Sequence, residues 1–418
     1  MKIGYACLTV GVRETNFKSC TMKNAREENL LEIIEYNLKS LENIIDYNIQ
    51  NGIKLFRISS DLIPFGSSEV NEVPWWEVFS SQLFLIGNKI RESNIRVSMH
   101  PGQYTVLNSP NKDVVLRAIE DLNYHNRVLD SLGIGKEGKI ILHIGGVYNN
   151  KEEAMKSFIR NFKLLSREVK ERLVVENDDK SYNIGEVLEI SRSIDVPVVF
   201  DNLHNEVLPY DPSKDDYYWI SQCKKTWKKE DGTQKIHYSQ QDKVKRPGAH
   251  SNTIGITKFM DFIKGINHEI DIMLEVKDKN LSAMKCINSI SKDKSITALE
   301  LEWSKYKYNI LEHSNLHYNK IRELLKNKKE YPVIQFYNII EEALDMEETI
   351  GSTINAILHV WGYFKNISTE NEKNKFTKLI EEYKEGKKSK NTVKRFLWKI
   401  ALKYGEAYLL NSYYFDLE

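Results

Sequence analysis

Over residues 1 to about 290 the chain alternates between short β-branched or apolar runs and longer segments whose apolar residues recur every three or four positions. The strand-like runs are KIGYACL (2–8), KLFRISS (54–60), IRVSMH (95–100), KIILHIGG (139–146), RLVVEND (172–178), PVVFDN (197–202), KIHYS (235–239) and IDIMLEV (270–276). Between the first two, Leu30, Ile33, Ile34, Leu38, Leu41, Ile44 and Ile45 mark an amphipathic helix with one buried face, and Val115, Ile119, Leu122 and Leu129 mark another between the third and fourth. Nearly continuous apolar strands separated by helices predict a parallel sheet, because parallel strands need a crossover to return. Eight such units fit a closed (β/α)8 TIM barrel, whose usual length is about 250 residues, better than an open doubly wound sheet. No GxGxxG follows the first strand, which weakens a dinucleotide-binding fold further.

Beyond about residue 295 the strand pattern stops. ALELEWSKYKYNILEHS, YPVIQFYNIIEEALDM, STINAILHVWGYFKN, KNKFTKLIEEYKEG and TVKRFLWKIALKYGEAYLL read as helices, so an all-α domain is expected over 296–418 after a barrel domain over 1–295, with KDKS (292–295) as the junction.

Length and composition agree: 418 residues with 41% hydrophobic content can hold one large domain and a smaller one. No apolar run approaches the ~20 residues of a membrane span, and MKIGYACLTV enters a strand-like pattern without the regions of a signal peptide, so a cytoplasmic protein is expected. Cys7, Cys20, Cys223 and Cys286 are scattered and make no CxxC pair, which argues against a disulfide framework or a thiolate metal site. The net charge of +1 excludes a globally basic protein, but charge clusters locally. Lys224, Lys225, Lys228 and Lys229 precede the seventh strand and Lys243, Lys245 and Arg246 follow it, a pattern that suits phosphate attraction. A further basic run, Lys384 to Arg395, lies far downstream; for both groups solvated surface is the usual reading and phosphate attraction the sharper alternative.

Chemistry concentrates where the strands end. The third strand ends in His100, the fourth carries His143, the fifth ends in Glu176, the sixth in Asp201 with His204 three residues on. The seventh holds Lys235 and His237, the loop after it holds His250, and the eighth ends in Glu275. In a barrel these positions converge on one face. Five of the ten histidines and three carboxylates recur on successive units, and no structural need of a barrel asks for such a ring. Imidazole plus carboxylate suits Zn²⁺, Mn²⁺ or Fe²⁺ and is too nitrogen-rich for Ca²⁺ or Mg²⁺ alone. Eight ligands exceed what one ion needs, so two or three ions are expected, a cluster suited to phosphodiester hydrolysis. His125, within LNYHNRVLD, reads as a packing or supporting residue, and His268, His313, His317 and His359 have no ligand spacing.

FRISSDLIPFGS, SMHPGQYTVLNSP, LHIGGVYNNKEEA, VVENDDKSY and VFDNLHN together resemble the UV damage endonuclease family, over residues 1 to about 290. The resemblance implies a barrel related to endonuclease IV and an enzyme that cuts damaged duplex DNA on the 5′ side of a lesion with up to three metals, Mn²⁺ being usual. It places the ligands on His100, His143, Glu176, Asp201, His204, His237, His250 and Glu275, with Glu176 bridging, and catalytic roles on Glu176, Lys235 and His237. Lys235 matches a lysine that can be carboxylated, Gln103 and Tyr104 match a pair that probes the opened duplex, and Tyr5 matches an aromatic residue near the damaged strand. Ser68 stands where many members have a histidine, and Leu8-Thr9-Val10 lacks a frequent asparagine. The helical part resembles a small bacterial domain of uncharacterised function. A monomer is expected. The alternatives are an abasic-site endonuclease of the same barrel class, a sugar isomerase on a similar His/Glu/Asp barrel, and a lesion-binding protein that has lost incision.

Overall fold

The computed structural model describes residues 1–416; Leu417 and Glu418, the end of the expected helical domain, lie outside the described residues. The chain divides into two compact units, one of Met1–Thr9, Arg13–Ile254 and Asp261–Met284, the other of Val10–Val12, Gly255–Met260 and Lys285–Glu418.

Among the described residues of the first unit, eight parallel strands close into a barrel in sequential order. They are β1 (Ile3–Ala6), β2 (Leu55–Ile58), β3 (Arg96–Met99), β4 (Lys139–His143), β5 (Leu173–Glu176), β6 (Val198–Asp201), β7 (Lys235–Tyr238) and β8 (Asp271–Leu274). The third and eighth ladders are shorter than their apolar runs because the polar residue near the run's end leaves the hydrogen-bonded register and enters a loop: His100 and Glu275 each stand one residue past the strand. The helix Glu27–Gln50 buries Leu30, Ile33, Ile34, Leu38, Leu41, Ile44 and Ile45, the stripe its periodicity predicts. The helix Lys112–Ser131 buries Val115, Leu122 and Leu129 but turns Asp121 and His125 inward beside them.

Charged side chains close the N-terminal mouth of the barrel. Arg96 pairs with Asp271 at 2.9 Å and Lys139 with Asp231 at 2.5 Å, all four buried. The Lys2 amide donates to the other Asp271 oxygen at 3.0 Å.

The second unit is helical: Ile296–His313, Asn315–Leu324, Val333–Leu344, Ile350–Trp361, Glu370–Lys384 and Lys390–Tyr404 are its long members. Asn315–Leu324 was hidden in the sequence because NLHYNKIREL offers little apolar periodicity; the Ser314 hydroxyl starts it by accepting from the His317 amide, and Ile321 anchors it. Trp361 stacks on Phe376 at 4.1 Å in a core that also holds Ile357, Val360, Leu397 and Tyr414. Among the described residues no helix is long and apolar enough to cross a membrane.

Candidate metal centre and active site

Because parallel strands all point one way, every strand C-terminus opens onto the same mouth. His143 and Glu176 are register partners on β4 and β5, as are Asp201 and His237 on β6 and β7. Asp201 also caps the helix Asn202–Val207, its Oδ1 accepting from the His204 amide at 2.9 Å, so one carboxylate fixes a second candidate ligand. After β4 the chain must turn sharply at Gly145, where φ is +114° and a Cβ would lie 2.4 Å from Asn108 Oδ1.

All eight expected ligands meet here. Glu176 lies at the centre: its Oε2 is 3.0 Å from His100 Nε2 and 3.7 Å from His143 Nε2, and its Oε1 is 2.7 Å from His237 Nδ1 and 3.9 Å from His204 Nδ1. Glu275 reaches His237 Nδ1 at 3.3 Å and His250 Nε2 at 3.7 Å. Three overlapping sets, His100-Glu176-His237, Glu176-Asp201-His204 and Asp201-His237-Glu275, each offer ligand atoms within 4.8 Å of one another.

The residues fit divalent ions. Among the described residues the buried His143 Nδ1, Asp201 Oδ2 and His237 Nε2 have no hydrogen-bond partner. Orphaned polar atoms are rare in a folded interior, and three on one cluster of imidazoles and carboxylates point to a cation. The charge balance agrees. Burial alone would raise the Glu176 carboxyl, but His237, His143 and the hydrogen bond from His100 hold it well below the usual carboxylate range. Burial and the neighbouring Glu176 and Glu275 push the Asp201 carboxyl up. Burial lowers His143 to about 4, whereas Asp201, Glu176 and Glu275 outweigh burial at His204 and lift it to about 9.

Lys235 is fully buried inside the barrel, and among the described residues its Nζ has no partner. Burial and the neighbouring Arg96 guanidinium depress its pKa strongly, favouring the free amine.

The sequence missed Arg57 on β2, whose Nη1 donates to Glu275 Oε1 in a partly buried ion pair. A lone arginine inside an apolar strand was the available signal. Also missed was Asn177, whose side chain brackets Asp201, accepting from its amide at 2.9 Å and donating to its carbonyl at 3.0 Å. The Asn177 carbonyl lies 2.8 Å from His204 Nδ1 and orients that ring.

Gln103 and Tyr104 stand on the turn after His100, with Tyr104 70% exposed. Lys243, Lys245 and Arg246 follow β7 and therefore lie on the loop side of the ligands. Ser68 is exposed in the loop after β2, its Oγ accepting from the Val70 amide rather than joining the cluster.

Two expectations are corrected. Tyr5 does not face a DNA strand: it is 0% exposed, outside the barrel wall under Glu27–Gln50, with its hydroxyl bonded to Asn48 Oδ1 at 2.8 Å. Lys224, Lys225, Lys228 and Lys229 precede β7 and belong to the opposite mouth. Lys228 pairs with Asp195, just before β6, and Trp227 between them donates to the carbonyl of Val198, the first residue of β6. These lysines lie at the opposite end of the barrel from the ligands, because loops before and after a parallel strand fall on opposite ends.

Comparison with known proteins agrees with this fold. Residues 1–305 match the family model described as UV-endonuclease UvdE. The chain belongs to the UV-endonuclease UvdE family. Residues 307–417 match a second model, a protein of unknown function, DUF1722. A UV DNA damage endonuclease of Clostridium perfringens is 41% identical over 405 residues, covering 96% of this chain and 97% of that protein. One from Bacillus cereus is 34% identical over 296 residues, 69% of this chain and 92% of that protein, so this UvdE family member carries the helical part beyond it. The crystal structure of SacUVDE superposes with a TM-score of 0.66 at 40% identity, covering 69% of this chain and 98% of that one.

Proposed function

We propose that this chain is a divalent-metal-dependent DNA repair endonuclease that nicks duplex DNA on the 5′ side of UV photoproducts and other distorting lesions, with two or three ions, Mn²⁺ foremost. The observation that carries the reading is the set of three overlapping ligand groups sharing Glu176, Asp201 and His237, with buried donor atoms left unpaired. Such ions, when bound, neutralise a phosphodiester, acidify a water and stabilise a leaving oxygen.

The protein's own part is positioning. Glu176 would bridge, His100, His143, His204, His237 and His250 would supply nitrogen, and Asp201 and Glu275 further oxygens. Arg57 holds Glu275 in place. Lys235, as a buried amine with no hydrogen-bond partner among the described residues, can add to the carbon of CO₂ with loss of a proton, giving a carbamate whose oxygens suit the same ions. Tyr104 and Gln103 would press into the base stack, where a damaged and poorly stacked pair opens at least cost, giving lesion selectivity without sequence readout. Lys243, Lys245 and Arg246 would contact phosphates.

Purified protein with Mn²⁺ should nick a UV-irradiated duplex and leave undamaged duplex intact, and EDTA should abolish the cut. Nicking of an abasic duplex alone would assign the chain to abasic-site chemistry, and binding of irradiated DNA without a nick would make it a lesion-binding protein.

A further inference from the structure

The inward-facing Asp121 and His125 are unused by the ligand cluster, yet they join its two working parts. Thr105, the residue after Tyr104, donates its hydroxyl to Asp121 Oδ2 at 2.6 Å. The Asp121 carbonyl lies 2.6 Å from His125 Nδ1; a carbonyl only accepts, so Nδ1 carries the proton. On the far side of the ring, Nε2 is 2.8 Å from the Ser60 hydroxyl, which is itself 2.9 Å from the backbone carbonyl of His100; the hydroxyl's single proton goes to that carbonyl when Nε2 also carries a proton and to Nε2 when it does not, so Ser60 bridges the ring and the carbonyl in either state. Thr105, Asp121 and His125 are 2%, 3% and 0% exposed. The Tyr124 hydroxyl pins the same segment, donating to the Ser60 carbonyl at 2.9 Å and accepting from the Ile63 amide at 3.2 Å.

The chain of contacts thus closes a ring. Covalently, His100 reaches Thr105 through Pro101, Gly102, Gln103 and Tyr104; noncovalently, it reaches Thr105 through Ser60, His125 and Asp121. An apolar side chain at position 125 would fill this space without exacting any polar geometry, so a polar chain there, buried at Thr105, Asp121 and His125 and partly buried at Ser60, specifies one arrangement of the turn rather than mere packing.

We infer that Thr105, Asp121, His125 and Ser60 form a positioning relay that locks the exposed Gln103-Tyr104 turn to His100, so that the lesion-engaging turn and the strand-end ligand keep one mutual geometry. The inference rests on the endonuclease reading and names residues that read neither metal nor DNA directly. A displacement of about 1 Å between such parts can cost up to about 100-fold in rate with little change in binding.

The test uses the full chain with Mn²⁺ on UV-irradiated duplex and four variants: Thr105→Val, which removes only the hydroxyl, Thr105→Ser, which restores it, Ser60→Ala, and the Thr105→Val/Ser60→Ala pair. Thr105→Val and Ser60→Ala should each lower kcat about 10-fold with KM within about threefold, and the pair should lose no more than the worse single variant, because both cut one chain. Thr105→Ser should nick at close to the unsubstituted rate, and Mn²⁺ affinity measured by calorimetry should be retained throughout. Losses that multiply to about 100-fold, a Thr105→Ser as slow as Thr105→Val, or an effect confined to KM would overturn the relay. If the unsubstituted protein leaves irradiated DNA intact, the endonuclease reading falls and the relay with it; if it nicks and the losses multiply, the relay alone falls.

Discussion

At the N-terminal mouth of the barrel, Arg96 and Lys139 meet Asp271 and Asp231, each cation against an anion. At the C-terminal mouth, Glu176, Asp201 and Glu275 crowd together among five histidines, with Arg57 bonded to Glu275 and buried nitrogen and oxygen atoms left over among the described residues. Both ends bury charge, which is costly unless compensated. Arg96 and Lys139 are compensated internally by Asp271 and Asp231, and these pairs are therefore structural. The second end retains anionic character and unpaired donors, a setting that suits cations. A buried charged residue becomes a functional candidate through what it lacks rather than through its type.

That contrast can be broken from either end. The largest effect is expected at the centre of the open end: Glu176→Gln should lower nicking by ~10³-fold or more while leaving the fold intact by circular dichroism, since Glu176 serves two of the three ligand sets. Next come matched neutralisations. Asp271→Asn strips Arg96 of its buried counter-charge and should destabilise by about 3–5 kcal/mol in a denaturant melt. Asp201→Asn keeps the cap on His204 and removes one of three crowded carboxylates, so the metal-free protein should melt within about 1 kcal/mol of the original. Its stabilisation by added Mn²⁺ should largely disappear. Equal destabilisation by the two changes would erase the distinction between the mouths.

A smaller effect is expected on the exposed turn: Tyr104→Ala should weaken binding to irradiated duplex by about 1–3 kcal/mol, the worth of one base-stacking aromatic, with Mn²⁺ affinity unchanged. The smallest separates the two groups of lysines. Lys245→Ala should lower the slope of log affinity against log salt by about one, whereas Lys228→Ala, at the other mouth, should leave that slope unaltered. A slope change at Lys228 alone would place the DNA on the wrong end of the barrel.

Much of the site was legible because a period-two or continuous apolar run followed by a polar residue announces a strand end, and eight such ends in order announce a common mouth. His100, His143, Glu176, Asp201 and Glu275 were readable in that way. Lys224 to Lys229 were misread because proximity along the chain was taken for proximity in space, although a strand of parallel sheet carries the loop before it and the loop after it to opposite mouths. Tyr5 was misread because a strand alternates its side chains, and only the closed barrel shows which alternate set faces the helices.

What the amino-acid sequence determined by itself was local: the alternation of strand and helix, the stripe on Glu27–Gln50, the polar strand termini and the change of pattern near residue 295. These features come from periodicity and side-chain chemistry, which act between near neighbours. Only the tertiary structure decided the partners: that Arg57 holds Glu275 from 218 residues away, that Tyr5 packs beneath a helix, and that Thr105 reaches His100 through His125. Such contacts exist only once the barrel closes, because closure brings strand ends together and assigns every side chain to the inside or the outside of the wall.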